Sequence, residues 1–126
     1  MFLTGAHFSA EALNCGDTIS HGEKVILTSN LTCPGALALT VIGPAILDLD
    51  GHTVECQTGS DCIIIQGKSA KVLNGAVKNN VVVEGIGRHQ LKNLITGSFV
   101  VNSNTNFIEN NTVVPGLGND RTQLSS

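Results

Sequence analysis

The sequence predicts an all-β fold built as a solenoid of short stacked coils, and three observations carry that reading. The first is a repeat. Leu39-Thr40-Val41-Ile42-Gly43, Ile63-Ile64-Ile65-Gln66-Gly67, Val81-Val82-Val83-Glu84-Gly85 and Phe99-Val100-Val101-Asn102-Ser103 fall into register, the last three starting 18 residues apart and the first preceding them by 24. The second is a companion set at a nearly constant offset: Val72-Leu73-Asn74-Gly75, Leu91-Lys92-Asn93-Leu94 and Ile108-Glu109-Asn110-Asn111, with Leu47-Asp48-Leu49-Asp50-Gly51 as the earlier counterpart. The third is residue type, since β-branched side chains suit strands and Gly and Asn suit the turns between them. A fixed period of this size marks one coil per repeat. Such a coil is too short for a strand, a helix and two loops, because a helix alone takes about 10–12 residues. Short strands joined by tight turns remain, each pairing in parallel with the coils above and below at about 4.8 Å.

Asn-Gly and Asn-Asn after an apolar residue, the Gly-ended β-branched triplets and the run Ala45-Ile46-Leu47-Asp48-Leu49-Asp50-Gly51-His52-Thr53-Val54 resemble the right-handed parallel β-helix of the pectin-lyase-like superfamily. The resemblance covers about residues 15 to 113 and implies about five short coils. It specifies fold better than activity, because that superfamily holds lyases, hydrolases, epimerases, phage tailspikes and adhesins. It also implies an asparagine ladder in one turn, with Asn74, Asn93 and Asn110 at the matching positions. Asn tolerates the left-handed conformation and can bond its amide to the same residue one coil away. The ladder is expected on the inner side of the turn, and its spacings of 19 and 17 require a one-residue bulge in one coil.

In chain order, residues 1–14 form a tail or cap, in which Phe8-Ser9-Ala10-Glu11-Ala12-Leu13 reads as a short amphipathic helix covering the first coil. This segment lacks the basic n-region and long apolar h-region of a secretory signal and cannot span a membrane. Residues 15–114 form the solenoid. Its first strand runs from Lys24 to Thr28, Pro34-Gly35 makes a turn, Leu39 to Ile42 a strand, Gly43-Pro44 a turn and Ile46 to Leu49 a strand. From there no Pro interrupts the coils until Pro115, as an internal parallel sheet requires. Residues 115–126 read as loop and polar tail with no helical cap.

The 126 residues suffice for one domain, and 41% of them are hydrophobic, enough to fill a narrow solenoid core. Trp and Tyr are absent, which removes the usual stacking platforms for sugars, and the net charge of −3 excludes a broadly basic nucleic-acid binder. Four cysteines lie in the first half. Cys56 and Cys62 bracket an insertion in the interval that is six residues too long, and read as a disulfide pinning it, with Cys15 to Cys33 closing the first coil. No CxxC pair offers a zinc site. Paired cysteines favour secretion, and the sequons Asn30-Leu31-Thr32 and Asn110-Asn111-Thr112 are compatible with it.

The candidate chemistry is sparse. Asp48 and Asp50 lie two apart and would share a strand face, where they could bind Ca²⁺ or act as paired carboxylates, although an Asp-Gly turn explains them as well. The Asn-Thr-Asp, Asp-Asp and Arg-Ile-Lys motifs of polygalacturonase-like members are missing. Between Ile63 and Val100 stand Lys68, Lys71, Lys78, Arg88 and Lys92 against Glu84 alone, a basic belt around the middle of a solenoid whose first 62 residues hold seven of its ten acids. The belt suits an acidic polysaccharide, or merely a solvated surface. A lyase or epimerase would draw on Arg88, His89 and Lys71. His7, His21 and His52 stand without metal-ligand spacing, and no resident cofactor is implied. An ice-binding row of hydroxyls is interrupted, since Thr40 is followed by Ile64, Val82 and Val100.

That row raises a further expectation. Gln66, Glu84 and Asn102 are equivalent and polar, so Thr40, Ile64, Val82 and Val100, two residues earlier in each coil, share their outward parity and form an apolar ridge. With an uncapped last coil this predicts a homo-oligomer, through the ridge or end to end. The expected protein is a small secreted β-helix acting as a non-catalytic structural or carbohydrate-associated binding module, without nucleic-acid or membrane partners; the alternative is a polysaccharide lyase or epimerase.

Overall fold

The computed structural model describes residues 8–11, 13–20, 22–35, 37–57, 60–102 and 106–113, and within them all elements are strands. β1 (Phe8–Glu11) lies one coil ahead of the first coil, which holds β2 (Asp17–Ile19), β3 (Lys24–Leu27) and β4 (Leu31–Thr32), and the second holds β5 (Leu39–Ile42), β6 (Ala45–Asp48) and β7 (Thr53–Glu55). Then follow β8 (Asp61–Gln66), the long bent β9 (Ala70–Val83) and β10 (Gln90–Val101), and finally β11 (Phe107–Glu109) and β12 (Thr112–Val113). Every ladder among them is parallel. The result is a β-solenoid of about four turns.

Three stacks of strands enclose one core. The first joins β2, β5, β8 and the ends of β9 and β10, with Thr18, Thr40, Ile64, Val82 and Val100 in one register row. The flanking rows, Leu39-Ile63-Val81-Phe99 and Ile19-Val41-Ile65-Val83-Val101, point inward and are at most 2% exposed. The second stack runs β1, β3, β6, the starts of β9 and β10, and β11, with Val25, Leu47, Val72 and Leu91 inward. The third runs β4, β7, the middles of β9 and β10, and β12, with Val54, Val77 and Thr96 inward. Strand alternation sends every second residue to this core. Each buried Val, Leu or Ile contributes roughly 1.5–3 kcal/mol.

Left-handed residues turn the corners. Between the second and third stacks sit Asp50, Asn74, Asn93 and Asn110, with φ of 48°, 62°, 59° and 54°. Between the first and second sit Ser69 and Arg88, with φ of 63° and 58°. Asn and Asp reach this region more readily than other side chains. At the third corner two residues of β9, Lys78 and Asn79, oppose the single Gly97 of β10, and this bulge supplies one of the two residues by which the asparagine spacings differ.

The disulfides Cys15–Cys33 and Cys56–Cys62 both form, each with Cα atoms 5.7 Å apart. The register between Thr40 and Ile64 places the second disulfide on the longer second coil. The helix expected from Phe8 is replaced by β1, whose Phe8 to Glu11 pair with Lys24 to Leu27. Physically, the edge of β3 presents unsatisfied N–H and C=O groups that a strand completes and a helix cannot. His7, His21 and the 115–126 tail lie outside the described residues.

Candidate functional site

The asparagine ladder exists, but on the outer side of its corner. Asn93 Nδ2 donates to Asn74 Oδ1 at 2.9 Å, and Asn74 Nδ2 donates to Asp48 Oδ1 at 3.3 Å, while Asn74, Asn93 and Asn110 are all exposed. The inner side is already filled by Leu49 and Leu94, which are fully buried. A Cβ on Gly75 would collide with Leu49 and with the His52 carbonyl, so the corner has no inward room for an amide. Asp48 caps the row: the same oxygen also accepts from Asp50 N at 2.9 Å. Asp50, in the left-handed turn, no longer shares a strand face with Asp48, and the pair is turn chemistry. Among the described residues no three His, Cys, Asp or Glu side chains group as a metal site.

His89 is fully buried rather than poised at a surface. Its Nδ1 accepts from Ala70 N at 3.1 Å and its Nε2 lies 2.8 Å from the Glu84 carbonyl, which assigns the neutral tautomer with the proton on Nε2. Burial lowers its pKa below the ordinary histidine value, against a smaller opposing effect of the Glu84 carbonyl bond. Its backbone continues the connection, N–H to Asn106 Oδ1 at 3.1 Å and C=O from Phe107 N at 2.8 Å. His89 therefore links three successive coils, and both ring nitrogens are committed.

The basic belt wraps the solenoid. Lys68 and Arg88 lie at the corner between the first two stacks, both exposed. Exposed Lys71 and half-buried Lys92 stand on outward rows of the second stack, and exposed Lys78 is on the third, in register with Glu55. Lys68, Lys71 and Arg88 thus border one corner, whereas Lys78 faces elsewhere. Lys24 joins them: it is aligned with Ile46 and Lys71, about 9.6 Å from the latter by two strand spacings. A groove of about 290 Å³ lies here, lined by Lys24, Pro44, Ile46, Ser69 and Lys71 among others. Lys24 lies outside the stretch of sequence where the basic residues crowd, and only the coil register brings it to Lys71.

Thr40, Ile64, Val82 and Val100 stack as the parity argument requires, and Gln66 Nε2 donates to Glu84 Oε1 at 2.9 Å beside them. Yet Val82 and Val100 are only 8% and 6% exposed. Sequence reasoning missed a second set of asparagines whose side chains serve the neighbouring coil's backbone. Asn30 Oδ1 accepts from Thr53 N and Asn111 Oδ1 from Leu94 N, each at 2.9 Å. Their signal was the excess of Asn at coil corners, which the ladder alone does not use up. Comparison of the chain with known families, curated proteins and solved structures finds no match.

Proposed function

We propose that this protein is a non-catalytic, secreted binding module of the pectin-lyase-like type, holding an acidic polysaccharide along the outer face of its second stack. The observation that carries the reading is the open groove over Ile46, lined by Lys24 and Lys71 with the single acid Glu23, and flanked by the corner that holds the exposed Lys68 and Arg88. Carboxylated sugars suit such a surface: cations meet their charge while an aliphatic floor meets the ring faces. The non-catalytic half of the proposal rests on His89. With one ring nitrogen accepting from Ala70 and the other donating to Glu84, it has no lone pair or proton to exchange with a substrate. The two disulfides are compatible with an extracellular setting.

Titration with pectate and alginate, against neutral dextran, tests the binding. The expected result is salt-sensitive association with the acidic polymers alone, weakened about tenfold by Lys71→Glu. Equal affinity for dextran, or indifference to Lys71→Glu, would overturn it. Release of unsaturated uronides during the same incubation would replace it with a lyase.

A further inference from the structure

The two left-handed corners are built from different residues. Between the second and third stacks stand Asp50, Asn74, Asn93 and Asn110, the residue types that enter this region at least cost after glycine, and the amides of Asn74 and Asn93 bond along the row. Between the first and second stand Ser69 and Arg88, with φ of 63° and 58°, and neither residue type shares that tolerance. Glycine would serve there without strain, as it does at Gly67 and Gly87 in the same two turns. Among the described residues no hydrogen bond or ion pair engages the Ser69 hydroxyl or the Arg88 guanidinium. Their neighbours hold the backbone instead. Ser69 N donates to the Gly87 carbonyl at 3.0 Å, Ala70 N to His89 Nδ1 at 3.1 Å, and His89 Nε2 to the Glu84 carbonyl at 2.8 Å. A strained residue that its surroundings over-determine in this way points to a use for its side chain.

Ser69 lines the groove over Ile46, and Arg88 continues that wall one coil further, about 4.8 Å along the axis. The acid that lines the groove, Glu23, is already engaged, its Oε1 accepting from the N–H and the hydroxyl of Ser20 at 2.8 and 3.3 Å. We propose that Ser69 and Arg88 are the residues by which the groove recognises a sugar carboxylate, held ready for it at a cost to the stability of their corner. The assignment rests on the reading of this groove as a site for an acidic polysaccharide. A guanidinium offers a planar fork of donors that matches the two oxygens of a carboxylate, and the Ser69 hydroxyl can bond an adjacent ring hydroxyl. Lys24 and Lys71 act as point charges, so the directional contact falls to Arg88.

Titration of the full chain with pectate, alongside its thermal midpoint, tests the proposal. Arg88→Gly should weaken pectate binding about tenfold yet raise the midpoint by about 3 °C, because relief of the left-handed strain outweighs the extra freedom of glycine in the unfolded chain. Ser69→Gly should move both quantities the same way, with a smaller loss of affinity. Arg88→Lys keeps charge and strain but not the fork, so it should leave the midpoint in place and still bind pectate less tightly than the native protein. Undiminished binding by Arg88→Gly, while Lys71→Glu still weakens it, would overturn this assignment and spare the groove. A lowered midpoint in Arg88→Gly would overturn it as well, by showing that the arginine serves the fold. Indifference to Lys71→Glu, or equal binding of dextran, would remove the groove and the assignment together.

Discussion

His89 illustrates how a residue suited to catalysis can be spent on architecture. Replacing it with Ala would leave the Ala70 N–H and the Glu84 C=O without their partner, an expected loss of about 1–3 kcal/mol for each group left unsatisfied. The lowered pKa gives this a pH signature. The unfolded chain takes up a proton near pH 6.5 while the folded His89 still resists it, so its contribution is present above that pH and is lost as pH falls towards the folded value. Urea midpoints measured from pH 8 to pH 4 should decline more steeply below about 6.5 in the native protein than in His89→Gln; identical profiles would remove His89 from the account. Asn93 tests the outward ladder. Gly also accepts φ near 59°, so Asn93→Gly should cost only a few tenths of a kcal/mol, whereas Asn93→Val should cost about 1–2 kcal/mol through left-handed strain. Equal denaturation midpoints for the two variants would show that backbone conformation is not what the ladder secures.

At the scale of the strand and its corner, close approach sets the limits. Gly75→Ala would drive a methyl into Leu49 and the His52 carbonyl oxygen, and a loss of about 2 kcal/mol is expected by thermal unfolding. The disulfides act on the unfolded chain instead. With sequence separations of 18 and 6, loop-closure entropy assigns about 3 kcal/mol to Cys15–Cys33 and about 2 kcal/mol to Cys56–Cys62. Replacing each pair with Ser should reproduce that order in denaturant midpoints, and the reverse order would count against the entropic account. Strands were legible because their signal is local: Lys24 to Leu27 and Leu39 to Ile42 alternate apolar and outward positions within a few residues. The segment from Phe8 was misread as a helix because its partner, the edge of β3, lies 16 residues further on. The outward turn of Asn74 was hidden for a similar reason, since Leu49 and Leu94, which fill the inner side, belong to the coils on either side of it.

For the molecule as a whole, the period revealed how many rows stack, and parity revealed which side of each strand faces in. Neither revealed where separate coils place their charges. Lys24 and Lys71 meet across Ile46 only through the cumulative register of three strands. The parallel stacks have one more consequence, in how the molecule carries load. Their hydrogen bonds run along the solenoid axis, so tension applied between the two ends pulls strands apart instead of sliding them past one another. Coils should peel away singly at low force, each lengthening the chain by one period. For the 18 residues separating Gln66 from Glu84, that is about 60 Å of extended chain. Optical-trap extension should show a ladder of small steps through the C-terminal half. Where Cys15–Cys33 and Cys56–Cys62 shorten the free contour, the steps should contract and then recover on reduction; a single cooperative rupture would mean that the coils yield together.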